Sequence, residues 1–189
     1  MPLAQQALKT LARKTLPVLR RPSMSNFVFV LDRNKRQLDP VHPGKARRLL
    51  CTGKAAVFRR YPFTIILKEA YPDIPVRDLE LKLDPGSQVT GIAIVQGTKV
   101  IFGAEIEHRG QQIKDAAAVN STRWALFNAL KQTGLPVATG TGGQTKFNRT
   151  RLDLPKTHWL DAARVGKIDS LKVLTTKPLL ISAKGHGTR

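Results

Sequence analysis

His158 and Asp161 stand three residues apart in Lys156-Thr157-His158-Trp159-Leu160-Asp161, a spacing that puts both side chains on one face of a helix. Asp84 closes an alternating run, Leu79, Leu81 and Leu83, just before Pro85-Gly86. It therefore belongs at a strand end where the chain turns. A strand-end aspartate meeting a helical His/Asp pair is what a Mg²⁺-dependent phosphodiester-cleaving site needs. Each residue also has a plain structural role open to it. Asp84 can initiate the turn, Asp161 can serve the first turn of a helix, and His158 can sit on a surface.

The charge of the chain points to the same class of ligand. Lys and Arg number 32 against 13 Asp and Glu, a formal net charge of +19. The excess is uneven. Between Arg33 and Arg60 stand nine basic residues, among them Arg47, Arg48, Arg59 and Arg60, and one acid, Asp39. Such a segment predicts salt-sensitive binding to polyanions, with nucleic acid the leading partner. Lys146, Arg149 and Arg151 form a second patch after Gly140-Thr141-Gly142-Gly143-Gln144-Thr145. That stretch lacks the Gly-Lys-Ser/Thr of a P-loop and reads as a flexible loop beside backbone-phosphate contacts. Trp124 and Trp159 fall in helical apolar patterns and read as core residues rather than base-stacking platforms.

Hydrophobic residues make up 41% of the 189, enough for a real core. Cys51 is the only cysteine, so one chain can build neither a disulfide nor a Cys-based zinc site. That usage fits a reducing, cytoplasmic compartment. No apolar run approaches the length of a membrane span, so no membrane partner is expected.

Three segments must position the candidate groups. Residues 1–24 are a basic extension without an acid, read either as a transit-like or surface helix or as sequence ahead of a true start at Met24, with the second favoured. Residues 25–69 read as a small basic α+β module. It has a strand at Phe27–Leu31, a helix opened by Pro43 and closed by Gly53, and a strand-like stretch over Ala55–Lys68. Residues 70–75 read as a linker. Residues 77–189 hold an antiparallel meander with strands at 79–83, 89–95 and 100–107, then a long helix capped by Asp115 and ended by Gly134. A brief strand at 137–139, a helix over Lys156–Val165 and an apolar strand region at Val173–Ile181 follow, with a polar, basic tail at 184–189.

Several of these stretches resemble one family. His42-Pro43-Gly44-Lys45-Ala46-Arg47-Arg48-Leu49-Leu50 and Arg59-Arg60-Tyr61-Pro62-Phe63-Thr64-Ile65 are similar to the N-terminal domain of IscB proteins, transposon-encoded RNA-guided DNA endonucleases. Leu83-Asp84-Pro85-Gly86 with Thr90-Gly91-Ile92-Ala93 resembles their first RuvC motif. Asp115–Asn120 with Thr122–Leu126, then Thr145–Arg151 and Leu154–Ala163, resemble their third. The resemblance implies a RuvC-like, RNase H-type α/β fold behind a small RNA-facing module, with guide RNA and DNA as partners. It implies Mg²⁺ held by Asp84 and Asp161, and His158 orienting or deprotonating the attacking water.

The departures bear on activity. The family's Pro-Leu-Met-Pro signature is here Gln37-Leu38-Asp39-Pro40. Between Arg109–Ile113 and Lys114-Asp115, family members carry a bridge helix, a second RuvC motif with a catalytic Glu, and an HNH domain. The chain reads as a relative lacking that middle and a C-terminal domain, so little or no cleavage is expected. Glu105 and Glu107 are poor substitutes, since the family fold sets their strand away from the metals. A non-enzymatic RNA-binding accessory and a single-metal nuclease remain open beside an inactive derivative. The expected sheet lacks its central fourth strand, and the 137–139 strand is expected to close onto the first strand of the meander.

Overall fold

A computed structural model describes residues 25–86, 88–108 and 116–182. The readings for the extension 1–24, the Asp115 cap and the tail at 184–189 lie outside the described residues. The chain is mixed α/β, with two mixed sheets.

The first sheet is built from β1 (Val28–Leu31), β2 (Gln37–Val41), β3 (Ala55–Arg59) and β4 (Thr64–Leu67), in the order β2-β1-β4-β3. Helix α1 (Pro43–Cys51) crosses from β2 to β3, so that β1 and β4 pair in parallel at the centre. Pro43 opens α1, and the His42 ring accepts the Gly44 N–H at 3.1 Å. β2 escaped the sequence reading because it contains Asp39-Pro40. It occupies an edge, where a proline's missing N–H breaks no ladder. The stretch read as one strand over Ala55–Lys68 is the hairpin β3–β4, turned at Arg60–Phe63. Val28, Val30, Leu38, Ala46, Ala55 and Ile65 form the core of this module.

The second sheet is the meander β5 (Glu80–Pro85), β6 (Val89–Gln96) and β7 (Lys99–Glu107), antiparallel as expected. Two short strands, β8 (Lys172–Val173) and β9 (Leu179–Ser182), extend it, both parallel to β7. The final apolar region thus splits in two, with Pro178 between the pieces.

This topology corrects the expected closure. Residues 137–139 form no strand, and among the described residues β5 pairs with β6 alone. The stretch runs largely exposed between Gly134, at φ 74°, and Thr141, the cap of the next helix, so no sheet edge buries it. The sheet grows instead at β7, where pairing with β9 places Leu179 in an apolar cluster with Phe27, Phe29 and Phe102.

Both faces of the second sheet are covered. On one face lies α4 (His158–Ala163), whose Trp159, Leu160, Ala162 and Ala163 pack on Ala93, Val95 and Val100. On the other, Phe27 and Phe29 of the first module meet Ile92, Ile94 and Phe102. Asn26 stitches the two modules together. Its amide donates to the Gly103 carbonyl at 2.8 Å and accepts the Gly103 N–H at 2.9 Å. Helices α2 (Ala116–Lys131) and α3 (Gly142–Leu152) lie between the meander and α4 in sequence.

Candidate functional site

The site forms where α4 lands on the second sheet. Trp159 fills the hollow over Gly103, where a Cβ would stand 2.5 Å from the indole. The His158 carbonyl abuts Gly91 so closely that a Cβ there would overlap it. Two glycines on neighbouring strands thus form a trough, and a 5%-exposed Trp159 anchors the helix in it. The core reading of Trp159 holds. That of Trp124 does not: it is 64% exposed and stacks edge-to-face on Phe127, because the face of α2 that carries it meets solvent.

Asp84, Gly91 and Glu105 are direct cross-strand partners in one row of the sheet. The start of α4 lies over the middle of that row. Asp84 and Asp161 are therefore neighbours without any strand closing on β5. Asp84 is half-buried, and its carboxyl is held above the usual range, first by burial and then by the negative charge of Asp161. His158, Arg123 and Arg149 act in the opposite direction. The structure thus brings Asp84, His158 and Asp161 together, with His158 exposed at the first turn of α4.

Asp161 is buried and fully engaged. Arg149 donates from Nε to Oδ1 at 3.1 Å and from Nη2 to Oδ2 at 2.6 Å. Arg164, with no exposed surface, donates from Nη1 to Oδ1 at 2.6 Å and from Nη2 to the Pro155 carbonyl at 3.0 Å. Sequence reasoning passed over Arg164, though its i+3 spacing from Asp161 on a helix was a usable signal. It also gave no role of its own to Arg123, which it carried only within the resemblance to the third RuvC motif; the Arg123 Nε donates to the Pro85 carbonyl at 3.0 Å and ties α2 to the end of β5.

Arg149 owes its place to α3. The glycine-rich stretch expected as a flexible loop is instead the start of this helix. Thr141 is the N-cap, and its hydroxyl accepts the Gln144 N–H at 3.2 Å, which offsets the weak helix propensity of Gly142 and Gly143. One turn later, buried Asn148 donates to the carbonyls of Arg164 at 2.8 Å and Gly166 at 2.9 Å. That contact locks α3 against the end of α4 and aims the next residue, Arg149, at Asp161. Lys146 and Arg151 stay on the exposed side of α3.

These donors do not fit a two-metal centre. Both Asp161 oxygens are taken by guanidinium groups. The Glu105 Oε1 accepts the Trp159 N–H at 3.2 Å. Among the described residues no group of three or more His, Cys, Asp or Glu is placed to share an ion. Magnesium demands a near-octahedral oxygen shell. The groups present supply instead two cations clamped on one carboxylate, beside a second carboxyl whose charged form is disfavoured.

The basic residues of the first module lie elsewhere. Arg47 and Arg48 are exposed on α1, and Arg59 and Arg60 are exposed at the β3–β4 turn. None of the four makes an ion pair among the described residues.

The model of the RRXRR protein family matches residues 28–123, just over half of the chain. The chain belongs to the RRXRR family. The RRXRR match takes in β1 to β4 and α1 of the first module, the meander with Asp84, and α2 as far as Arg123. Asp161, His158 and Arg149 lie beyond it. No curated protein matches the chain. No helix among the described residues is long and apolar enough to cross a membrane.

Proposed function

We propose that this RRXRR protein is a nucleic-acid-binding derivative of IscB-like RNA-guided DNA endonucleases, with little or no cleavage activity of its own. The RRXRR domain occurs in IscB- and HNH-associated proteins, which supports the link to nucleic acid. The observation that carries the binding half is the set Arg47, Arg48, Arg59 and Arg60, exposed and unpaired among the described residues. Unpaired surface cations displace counterions from a phosphate backbone, and that release drives sequence-indifferent binding. Lys146 and Arg151 add a second contact region, and guide RNA is the expected ligand. The inactive half rests on the Arg-filled Asp161, which leaves Mg²⁺ without its ligand pair.

Two measurements on purified protein test this reading. RNA binding across a salt series should weaken steeply with salt, and R47E/R48E should weaken it and flatten the slope by about one or more, since each phosphate contact contributes about 0.7–0.9. Unchanged binding in that variant would refute the assignment. Incubation with plasmid and single-stranded DNA in Mg²⁺ should give no nicking. Metal-dependent nicking lost in Asp84→Ala would overturn the inactive half.

A further inference from the structure

A second feature of the first module faces a hollow rather than open solvent. A cavity of about 480 Å³ opens between α1, the β3–β4 turn and the segment that leads into β9. Aromatic rings line it, with Phe27, Tyr61 and Phe63 among them, and its cations are Arg47, Arg60 and Lys177. No acid lines it. Tyr61 is 74% exposed and Phe63 39%, an unusual exposure for large rings beside a groove. The Phe27 ring is fixed edge-on against His42 at 5.9 Å.

We infer that this groove takes an unpaired nucleotide of a single-stranded nucleic acid, with the base against the aromatic rings and the flanking phosphates on Arg47, Arg60 and Lys177. The inference deepens the nucleic-acid reading and rests on it. Rings beside cations are the composition that single-strand binders use: every base has a face to stack, and the phosphates need positive charge nearby. A duplex, whose bases are already stacked, offers no face to such rings. The size suits one base and its sugar, within the range of small-ligand pockets. Asn26 also lines the cavity, but its amide is committed to Gly103 and Thr175 rather than to a base edge.

The test uses the full chain and two uridine oligonucleotides of equal length, one intact and one with abasic positions, so that backbone charge is constant and only bases differ. The intact strand should bind about five- to a hundredfold more tightly. Phe63→Leu and Tyr61→Leu, both at exposed rings, should bring that ratio towards one while the salt slope stays as in the parent. Arg60→Ala should lower the slope and leave the ratio in place. Equal affinity for the two oligonucleotides overturns the groove and leaves the nucleic-acid reading standing. Binding of neither overturns both. A ratio that persists in Phe63→Leu and Tyr61→Leu, in variants with unchanged circular dichroism, also sinks the groove.

Discussion

Arg149 grips Asp161 with two hydrogen bonds, 3.1 Å from Nε to Oδ1 and 2.6 Å from Nη2 to Oδ2. The two residues are twelve apart and lie on different helices, so this fork pins α3 to α4. Arg164 closes the same carboxylate from the helix's own interior. A carboxylate held by two guanidinium groups is engaged on both oxygens by charge-assisted hydrogen bonds. The arrangement is a structural clamp in the place where the sequence pattern suggests a metal ligand.

The two sides of the clamp differ in burial, so they should differ in energy. Asp161→Asn leaves Arg164 buried, with its Nε already unpartnered, and should cost about 3–5 kcal/mol. Arg149→Ala removes a guanidinium whose side chain is 32% exposed and leaves the Arg164 bond in place, so it should cost about 1 kcal/mol. Urea unfolding of the two variants measures both. Equal costs would show that Arg164 does not depend on Asp161.

Magnesium should leave the folded protein indifferent. Thermal unfolding in millimolar Mg²⁺ and in EDTA should give the same midpoint, because a ligand that does not bind the native state cannot stabilise it. Arg149→Ala frees one Asp161 oxygen, Oδ2, and should make the midpoint Mg²⁺-sensitive if Arg149 is what excludes the ion. A parent midpoint that rises with Mg²⁺ would contradict the clamp.

The acids predict opposite responses to pH. Burial and the neighbouring Asp161 hold the Asp84 carboxyl above its usual range, so the folded state binds its proton more tightly than the unfolded chain. Asp84 therefore lowers stability as pH rises from the usual carboxylate range through its folded value. Asp84→Asn should raise the melting midpoint at pH 7, and the gain should vanish in acid. For Asp39, burial pushes upward but the Arg77 N–H and guanidinium and the Gln96 amide outweigh it, so its carboxyl is held low. Its contribution is present above the usual range and is lost as pH falls through its folded value. Asp39→Asn should therefore destabilise at pH 7 and lose its effect in acid. Melting curves at pH 3–8 compare the two variants.

The glycine trough should be intolerant of a methyl group. Gly91→Ala sets a Cβ against the His158 backbone carbonyl, which cannot move without lifting α4. Gly103→Ala meets the Trp159 ring, a side chain. Overpacking costs about 1–3 kcal/mol, and Gly91→Ala should lie at or above the top of that range. Denaturant midpoints would expose an error if Gly91→Ala proved the milder change.

The sequence by itself determined what depends on local period and local chemistry. Alternation over 79–107 predicts three strands, and the Pro-Gly and Gly97 turns join them as a meander, which is how they fold. Pro43 and Gly53 bracket α1 because one lacks an N–H and the other accepts a φ of 70°. The spacing of His158 and Asp161 was legible as one helix, and the +19 charge is independent of fold. Tertiary structure decided the partners, because pairing across many residues leaves no local trace. An apolar strand does not state which edge it will join, and β9 chose β7 because Leu179 there buries against Phe27 and Phe29. Arg149 read as a cation for phosphate until Asn148 fixed α3 on α4 and turned it onto Asp161. Gly91 and Gly103 fall inside the stretches 89–95 and 100–107, and only the approach of α4 gives their missing side chains a purpose.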